Sequence, residues 1–98
     1  MVSKIIWSPR ALADLGDISR YIGRSSPITA ERFCLKIIAR AESLAEFPEM
    51  GRVLPEKQRP TLRELIFPPF RIAYEYPPES RSIEILTVWH SARGLLEV

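Results

Sequence analysis

Between residues 62 and 89 the chain contains three short apolar segments that prolines keep apart. They span residues 62–67, 70–76 and 83–89, with Pro68-Pro69 in the first gap and Pro77-Pro78 in the second. Segments of six or seven residues rich in isoleucine, phenylalanine, tyrosine and valine favour strands, and prolines interrupt strand pairing. The pattern therefore predicts three consecutive antiparallel strands joined by short turns.

The first half of the chain carries the spacing of two helices. Residues 3–7 predict an opening strand, after which Ser8 is a good N-cap and Pro9 occupies the first helical position. Apolar residues then recur every three or four positions, which predicts an amphipathic helix over residues 9–24. A second helix begins either at Ser26-Pro27 or at a Thr29 cap and runs to residue 47, where a proline stops it.

This order of elements predicts an α+β fold: an N-terminal strand, an antiparallel helical hairpin and then three antiparallel strands. The connection between the helices is only a few residues long, so they should lie side by side and pack on the sheet. We expect one domain over residues 1–98. The segment 48–60 contains several turn-forming residues and is expected to be an ordered loop: Pro48, Gly51, Pro55 and Pro60.

Composition narrows the class of protein. The 98 residues are 46% hydrophobic and 27% charged, and no apolar run approaches the ~18 residues that a membrane span needs. A single cysteine, Cys34, cannot form an internal disulfide, which favours the cytoplasm. The net charge is only +2, so the sequence does not predict a polycationic nucleic-acid binder. Arginine predominates over lysine, which suits recognition of carboxylates or phosphates but also follows from a GC-rich genome.

Four residues near the ends of the predicted strands are candidates for function. Strand alternation puts Arg71 on the face opposite Phe70 and the other aromatic residues of its strand, so one face should be core and the other free to meet a partner. His90 and Arg93 follow the last strand, and His90 could exchange protons near neutral pH. Arg63, Arg71 and Arg93 could together bind a phosphate or a carboxylate. The alternative is structural: an imidazole bonded to backbone at a strand end, and an ordinary surface pair between Arg63 and its neighbour Glu64.

Other chemistry has little support in the sequence. We find no histidine or cysteine set at metal-ligand spacing, no phosphate-binding glycine loop and no nucleophile elbow, so neither a metal nor an organic cofactor is expected. Cys34 is interpreted as a packing residue or a bystander, and Trp7 and Trp89 as packing residues of the core.

Taken together, the chain resembles the RelE/ParE superfamily of toxins from type II toxin–antitoxin and plasmid-stabilisation systems, and within it the ParE branch. No single motif is specific to this superfamily. The order and spacing of the motifs are specific, and they extend over nearly the whole chain. The residues that carry the resemblance are Trp7-Ser8-Pro9, Ala13-Asp14-Leu15, Ile18, Tyr21-Ile22, Pro27, Ala30, Phe33, Leu44, Phe47-Pro48, Gly51-Arg52, Arg63-Glu64-Leu65, Phe70-Arg71-Ile72, Tyr74, Val88-Trp89-His90 and Arg93.

The resemblance implies the fold predicted above and a growth-inhibiting toxin that is neutralised by a cognate antitoxin, a partner that folds on binding. It also implies one of two activities. ParE-like members inhibit DNA gyrase as protein ligands, whereas RelE-like members cleave mRNA on the ribosome. In a nuclease, Arg71 would match a catalytic arginine, and Arg63, His90 and Arg93 would be further catalytic candidates; otherwise the four residues are candidates for binding the target.

The sequence departs from the nuclease pattern after the last strand. Ser91 and Ala92 stand where the nucleases tend to carry basic residues, and the carboxyl-terminal tail has no tyrosine. We therefore favour gyrase inhibition. An mRNA endonuclease, an inactive toxin kept as an antitoxin-binding corepressor and a plain structural domain remain the alternatives.

Overall fold

The computed structural model describes residues 3–54, 56–94 and 96–98. Its strands and helices follow in the order β1 (Lys4–Trp7), α1 (Pro9–Gly23), α2 (Pro27–Glu42), β2 (Arg52–Val53), β3 (Leu62–Phe67), β4 (Phe70–Glu75) and β5 (Ser82–His90). Short 3-10 turns follow α2 at Ser43–Ala45 and β5 at Ser91–Arg93. The predicted α+β fold is confirmed, with one strand more than expected.

The five strands form one sheet in the order β1-β5-β4-β3-β2. β1 pairs with β5 in parallel, and the other neighbours are antiparallel. The extra strand, β2, lies within the segment expected to be a loop, because Arg52 and Val53 pair with Glu64 and Arg63. Both residues of β2 are exposed, so no hydrophobic alternation marks them in the sequence. Pro55, part of that loop prediction, lies outside the described residues.

Serine caps start both helices, as predicted. The Ser8 hydroxyl accepts a hydrogen bond from the Ala11 N–H at 3.0 Å, and the Ser26 hydroxyl accepts one from the Thr29 N–H at 3.2 Å. The cap of the second helix is therefore Ser26 and not Thr29. That helix ends at Glu42 instead of residue 47, because the Ser43 hydroxyl donates to the Arg40 carbonyl at 2.5 Å and the chain tightens into a 3-10 turn.

The outer edge of β5 is longer than the strand that covers it. β1 ends at Trp7, opposite Ile85, and the cap of α1 and one residue within that helix bond to the rest of the edge. The Ser8 N–H donates to the Ile85 carbonyl at 2.9 Å, and its hydroxyl donates to the Leu86 carbonyl at 2.9 Å. Further along, the Asp14 carboxylate accepts from the Val88 N–H at 2.9 Å and from the Thr87 hydroxyl at 2.5 Å. These bonds fix α1 beside the strand.

A β-bulge in β5 changes which side chains face the helices. Ala73 pairs with Thr87 while Tyr74 pairs with Ile85, so Leu86 is an extra residue in the strand. Without a bulge, alternation would place Ile83, Ile85 and Trp89 on one face. With it, Ile85 and Val88 both pack in the core beneath the helices, and Trp89 points to the opposite face.

Both faces of the sheet carry buried apolar residues. The face under the helices holds the main core, which includes the predicted Phe70, Ile72 and Tyr74 side of β4. The opposite face was expected to be free for a partner, and that expectation is wrong. A second cluster lies there and brings together Leu54, Leu62, Ala73, Trp89 and Leu96.

The residues interpreted as packing residues behave as such to different degrees. Trp89 is buried, whereas Trp7 is half-buried against the main core. Cys34 is also half-buried, and burial raises the pKa of its thiol, which makes it a poor nucleophile. Among the described residues, no helix is both long enough and apolar enough to cross a bilayer.

Replacing Asp14 by alanine should destabilise the protein by about 2 to 3 kcal/mol, because the Val88 N–H and the Thr87 hydroxyl would lose their acceptor at a half-buried edge. The free energy of unfolding from urea titration measures this. Asp17→Ala is the matched control on the same helix, since Asp17 pairs only with exposed Arg20, and it should change stability by less than about 0.5 kcal/mol. Equal losses in the two variants would contradict the role assigned to Asp14.

Candidate binding surface

The structure divides the four predicted site residues between the two faces of the sheet. His90 pairs with Phe70 and shares its face, under the helices, whereas Arg71 pairs with Trp89 on the opposite face. Arg63 pairs with Tyr74 and lies on the helix side, toward β2. The single cluster expected from the sequence therefore does not form, because the bulge at Leu86 turns His90 away from Arg71. Only His90 and Arg93 come together.

Arg71 is held by two carboxylates. Its Nε donates to Glu64 and its Nη2 donates to Glu56, and only 14% of its side chain is exposed. The hydrogen bond that Arg71 donates to Glu64 raises the pKa of Arg71, and the hydrogen bond that it donates to Glu56 lowers the pKa of Glu56. The guanidinium is thus fixed and its charge is neutralised within the chain.

Glu64 is the centre of this charge network. Its side chain is fully buried, and its second oxygen accepts from Arg52 Nε at 2.7 Å. A buried carboxylate is stable only when cations and donors satisfy it, and here two arginines from different strands do so. Arg52, Glu64 and Arg71 therefore join β2, β3 and β4 across the sheet.

Arg63 is bound to backbone carbonyls of the segment just before β2. Its Nη1 donates to the Gly51 carbonyl at 2.7 Å and approaches the Glu49 carbonyl at 3.4 Å. Beside it the buried Tyr74 hydroxyl accepts from the Gly51 N–H and donates to the Pro48 carbonyl, each at 2.9 Å. A Cβ at Gly51 would lie 2.5 Å from that hydroxyl, so this position requires glycine. Burial raises the pKa of Tyr74, which keeps it a neutral donor here.

His90 bonds to backbone at the strand end, as the structural alternative predicted. Its Nδ1 accepts from the Ala92 N–H at 3.0 Å, which makes Nε2 the protonated nitrogen of the neutral ring. The imidazole packs edge-on against Phe70, with ring centroids 5.1 Å apart. His90 therefore caps the 3-10 turn that places Arg93.

An apolar groove of about 540 Å³ runs between the helical hairpin and the ends of β4 and β5. Its floor and walls are mostly aliphatic and aromatic, and four ionisable residues are among those that line it. Tyr21 is 73% exposed at its edge. The groove is lined by Asp17, Ile18, Tyr21, Ile22, Phe33, Pro69, Phe70, His90 and Arg93.

The opposite face of the sheet is covered near Trp89 by the end of the chain. Leu96 is fully buried against Trp89, Ala73 and neighbouring residues. Trp89 Nε1 donates to the Gly94 carbonyl at 3.3 Å, and Arg10 Nη1 donates to the Glu97 carbonyl at 2.5 Å. The described carboxyl-terminal residues are thus packed onto the fold.

Sequence reasoning missed Glu56, Glu64 and Arg10. Glu64 could have been found from the pairing of β3 with β4. It lies opposite Ala73, and Arg71 is two positions from Ala73 on the same face, within reach of a long side chain. Glu56 and Arg10 carry no such signal, because their contacts come from a loop and from the far end of the chain. In the part of the chain that the structure describes, no three His, Cys, Asp or Glu residues are placed to hold a metal ion.

The comparisons with known proteins agree with this fold. Residues 5–95 match the family model described as the ParE toxin of type II toxin-antitoxin system, parDE. The chain belongs to the ParE toxin family. Two curated relatives of this ParE-family chain are "Toxin RelE2" of Caulobacter vibrioides and "Putative toxin Y4kP" of Sinorhizobium fredii. The first is 42% identical over 94% of this chain and 99% of its own length. The second is 39% identical over 90% and 88%.

Two solved structures share the fold of this ParE-family chain. One belongs to the chromosomal ParDE system of P. aeruginosa, with a TM-score of 0.73 and 23% identity over 91% of this chain and 96% of that one. The other belongs to the RelBE2 toxin–antitoxin complex of Mycobacterium tuberculosis, with a TM-score of 0.70 and 17% identity over 92% and 99%. At these identities the likeness concerns the fold.

The pair between Glu56 and Arg71 predicts a pH-dependent contribution to stability. Because the folded-state pKa of Glu56 lies below its ordinary value of about 4.3, its contribution is present above that pH and is lost as the pH falls through the lower, folded value. The wild type should be about 0.5 to 1 kcal/mol more stable than Glu56→Gln at pH 7, because the pair is partly exposed.

Urea titrations of both proteins at several pH values between 7 and 3 measure this difference, which should shrink toward zero in acid. Glu79→Gln changes an exposed glutamate with no ion pair among the described residues and is the control. A difference for Glu56→Gln that stays constant with pH would contradict the pairing.

Proposed function

We propose that this chain is the toxin of a type II toxin–antitoxin module that binds and inhibits DNA gyrase without chemistry of its own. We further propose that a cognate antitoxin neutralises it by occupying the apolar groove. Membership of the ParE family supports the first part. The toxin–antitoxin systems named for the two structural neighbours support an antitoxin partner, and the apolar lining of the groove supports its place of binding.

The observation that carries the choice of gyrase over mRNA cleavage is the pairing of Arg71. A nuclease needs its arginine free to stabilise the charged phosphate as the strand is cut. Here the Arg71 donors Nε and Nη2 are occupied by Glu64 and Glu56. A phosphate that used these donors would have to displace Glu56 or the fully buried Glu64 carboxylate, and leaving Glu64 without this partner is costly. A protein ligand has no such requirement.

Ribosome-dependent mRNA cleavage is the second candidate. It is supported by the RelE name of a relative with 42% identity and by the presence of arginine at position 71. In that activity Glu56 would have to release Arg71 on the ribosome, and His90 Nε2 would be available to exchange a proton.

Purified protein tested in a gyrase supercoiling assay and in a ribosome-dependent mRNA cleavage assay separates the two candidates. We expect supercoiling to be inhibited and mRNA to stay intact. Cleavage that falls by about a hundredfold or more in Arg71→Ala, and is unchanged in the exposed control Arg81→Ala, would instead establish the nuclease. Activity in neither assay, with harmless expression in cells and intact antitoxin binding, would indicate a corepressor.

The groove has the chemistry of a site for an amphipathic protein segment. Ile18, Ile22 and Phe70 offer apolar contacts between two rigid elements, and the exposed ring of Tyr21 would be covered by an occupant. A groove of this size admits one helix face or one extended segment.

Replacing Tyr21 by aspartate should weaken binding of the cognate antitoxin by at least about tenfold, because a carboxylate would be buried at the edge of an apolar contact. Leu12→Asp is the matched control, since Leu12 is also exposed on α1 but lies outside the groove. Titration calorimetry measures both affinities. An antitoxin that tolerates Tyr21→Asp and Leu12→Asp equally binds elsewhere.

A further inference from the structure

Two arginines from opposite ends of the chain lie on the same tryptophan. The Arg93 guanidinium carbon is 4.2 Å from the Trp89 ring centroid, and that of Arg10 is 5.6 Å from it. Trp89 itself is only 3% exposed and is held by the bond from its Nε1 to the Gly94 carbonyl. Cation–π contact with a fixed ring orients both guanidinium groups at one corner of the protein.

These two charges are not neutralised by the described residues. Arg20, Arg52, Arg59 and Arg71 all pair with carboxylates, but no such contact is present for Arg10 or Arg93 in residues 3–54, 56–94 and 96–98. Arg10 donates to a backbone carbonyl at Glu97, and the first turn of its helix contains no acidic residue.

The two guanidinium carbons lie within about one Debye length of each other, so each raises the positive potential at the other. An anion that contacts both guanidinium groups would be bound by oriented, forked donors.

The surroundings favour the carboxylate of a protein over the phosphates of a nucleic acid. Trp89 is buried beneath the arginines, so no base can stack on its ring. The nearby Arg52 and Arg71 are neutralised by Glu56 and Glu64, so no track of positive charge continues along the face for a phosphate backbone to follow. Arg10 and Arg93 are therefore isolated from other unpaired positive charge along this face, which suits one or two discrete acidic side chains.

Arg93 also connects this corner with the apolar groove. It lines the groove together with His90 and lies on Trp89 at the same time. An occupant whose apolar residues fill the groove would therefore bring its next residues to Arg93 and Arg10.

We propose that Arg10 and Arg93, supported by Trp89, form a carboxylate-binding site that takes acidic side chains of a protein segment bound in the neighbouring groove. The identity of that segment as the antitoxin rests on the proposed function, whereas the carboxylate site does not. Arg10 is a binding residue that family membership does not assign.

A titration of the ¹⁵N-labelled full chain with a capped hexaglutamate peptide tests the site directly. The probe is compared with a six-nucleotide oligothymidylate at the same ionic strength. We expect the peptide to shift the Nε–Hε signals of Arg10 and Arg93 and the indole signal of Trp89 along one saturable curve. Arg10→Gln and Arg93→Gln should each weaken binding by about fivefold, because each removes one charge-assisted contact.

Arg32→Gln is the control, since Arg32 is an exposed arginine of α2 and its replacement makes the same change in net charge. It should alter the affinity by less than about twofold. Arg93→Lys keeps the charge and loses the fork, and it should fall between the wild type and Arg93→Gln. Amide spectra of each variant report whether it is folded, and the wild-type shifts test the site even if a variant is not.

Three results would overturn the proposal: no shift at Arg10 and Arg93, an equal loss of affinity in Arg32→Gln, or tighter binding of the oligonucleotide than of the peptide at the same signals. None of these results depends on gyrase or on an antitoxin. Failure of the carboxylate site therefore leaves the toxin function standing, and a protein without toxic activity could still bind the peptide.

Discussion

The structure depends on hydrogen bonds to the backbone groups of β5 that β1 does not cover. β5 is nine residues long and its parallel neighbour β1 is four, so the remaining edge of β5 needs other partners for its backbone groups. Ser8, the cap of α1, and Asp14, within that helix, supply them. The same bonds set the position of the helix against the sheet, and the position of the helix forms one wall of the groove. The residues Trp7-Ser8-Pro9 and Asp14 that mark the family in the sequence thus have a physical explanation in edge pairing.

The second organising interaction is the buried carboxylate of Glu64. It pairs with Arg71 and Arg52 and joins three strands, one of which is only two residues long, while Glu56 supplies the second negative charge. The fold therefore keeps an arginine at position 71 but pairs its charge with carboxylates of the same chain. This is how one scaffold can carry the arginine of a nuclease and still act, as proposed, as a protein ligand. The difference lies in the residues around the arginine.

Much of the fold follows from local sequence signals. The serine-proline caps place the starts of both helices, and the prolines at 68 and 69 place the boundary between β3 and β4, because those residues act on the backbone beside them. Non-local features were not predictable in this way. β2 has no apolar side to detect, and the bulge at Leu86 arises from pairing with β4 and β1.

The prediction of the candidate site was affected most by these non-local features. One inserted residue in β5 decides whether His90 faces Arg71, and no alternation pattern within the strand reveals it. The sequence did identify Arg93 and His90 as neighbours, because they are only three positions apart. It could not identify Arg10, whose contact with Trp89 joins the two ends of the chain.

The parallel pairing of β1 with β5 has a consequence for how the protein is made. The first strand of the sheet has its hydrogen-bonding partner near the other end of the sequence, so loop closure across most of the chain must precede completion of the sheet. During synthesis β1 and the helical hairpin emerge before their partner strand exists. A ribosome-bound fragment therefore lacks both the groove and the paired Arg10 and Arg93, and the proposed binding surfaces form only once β5 has left the ribosome.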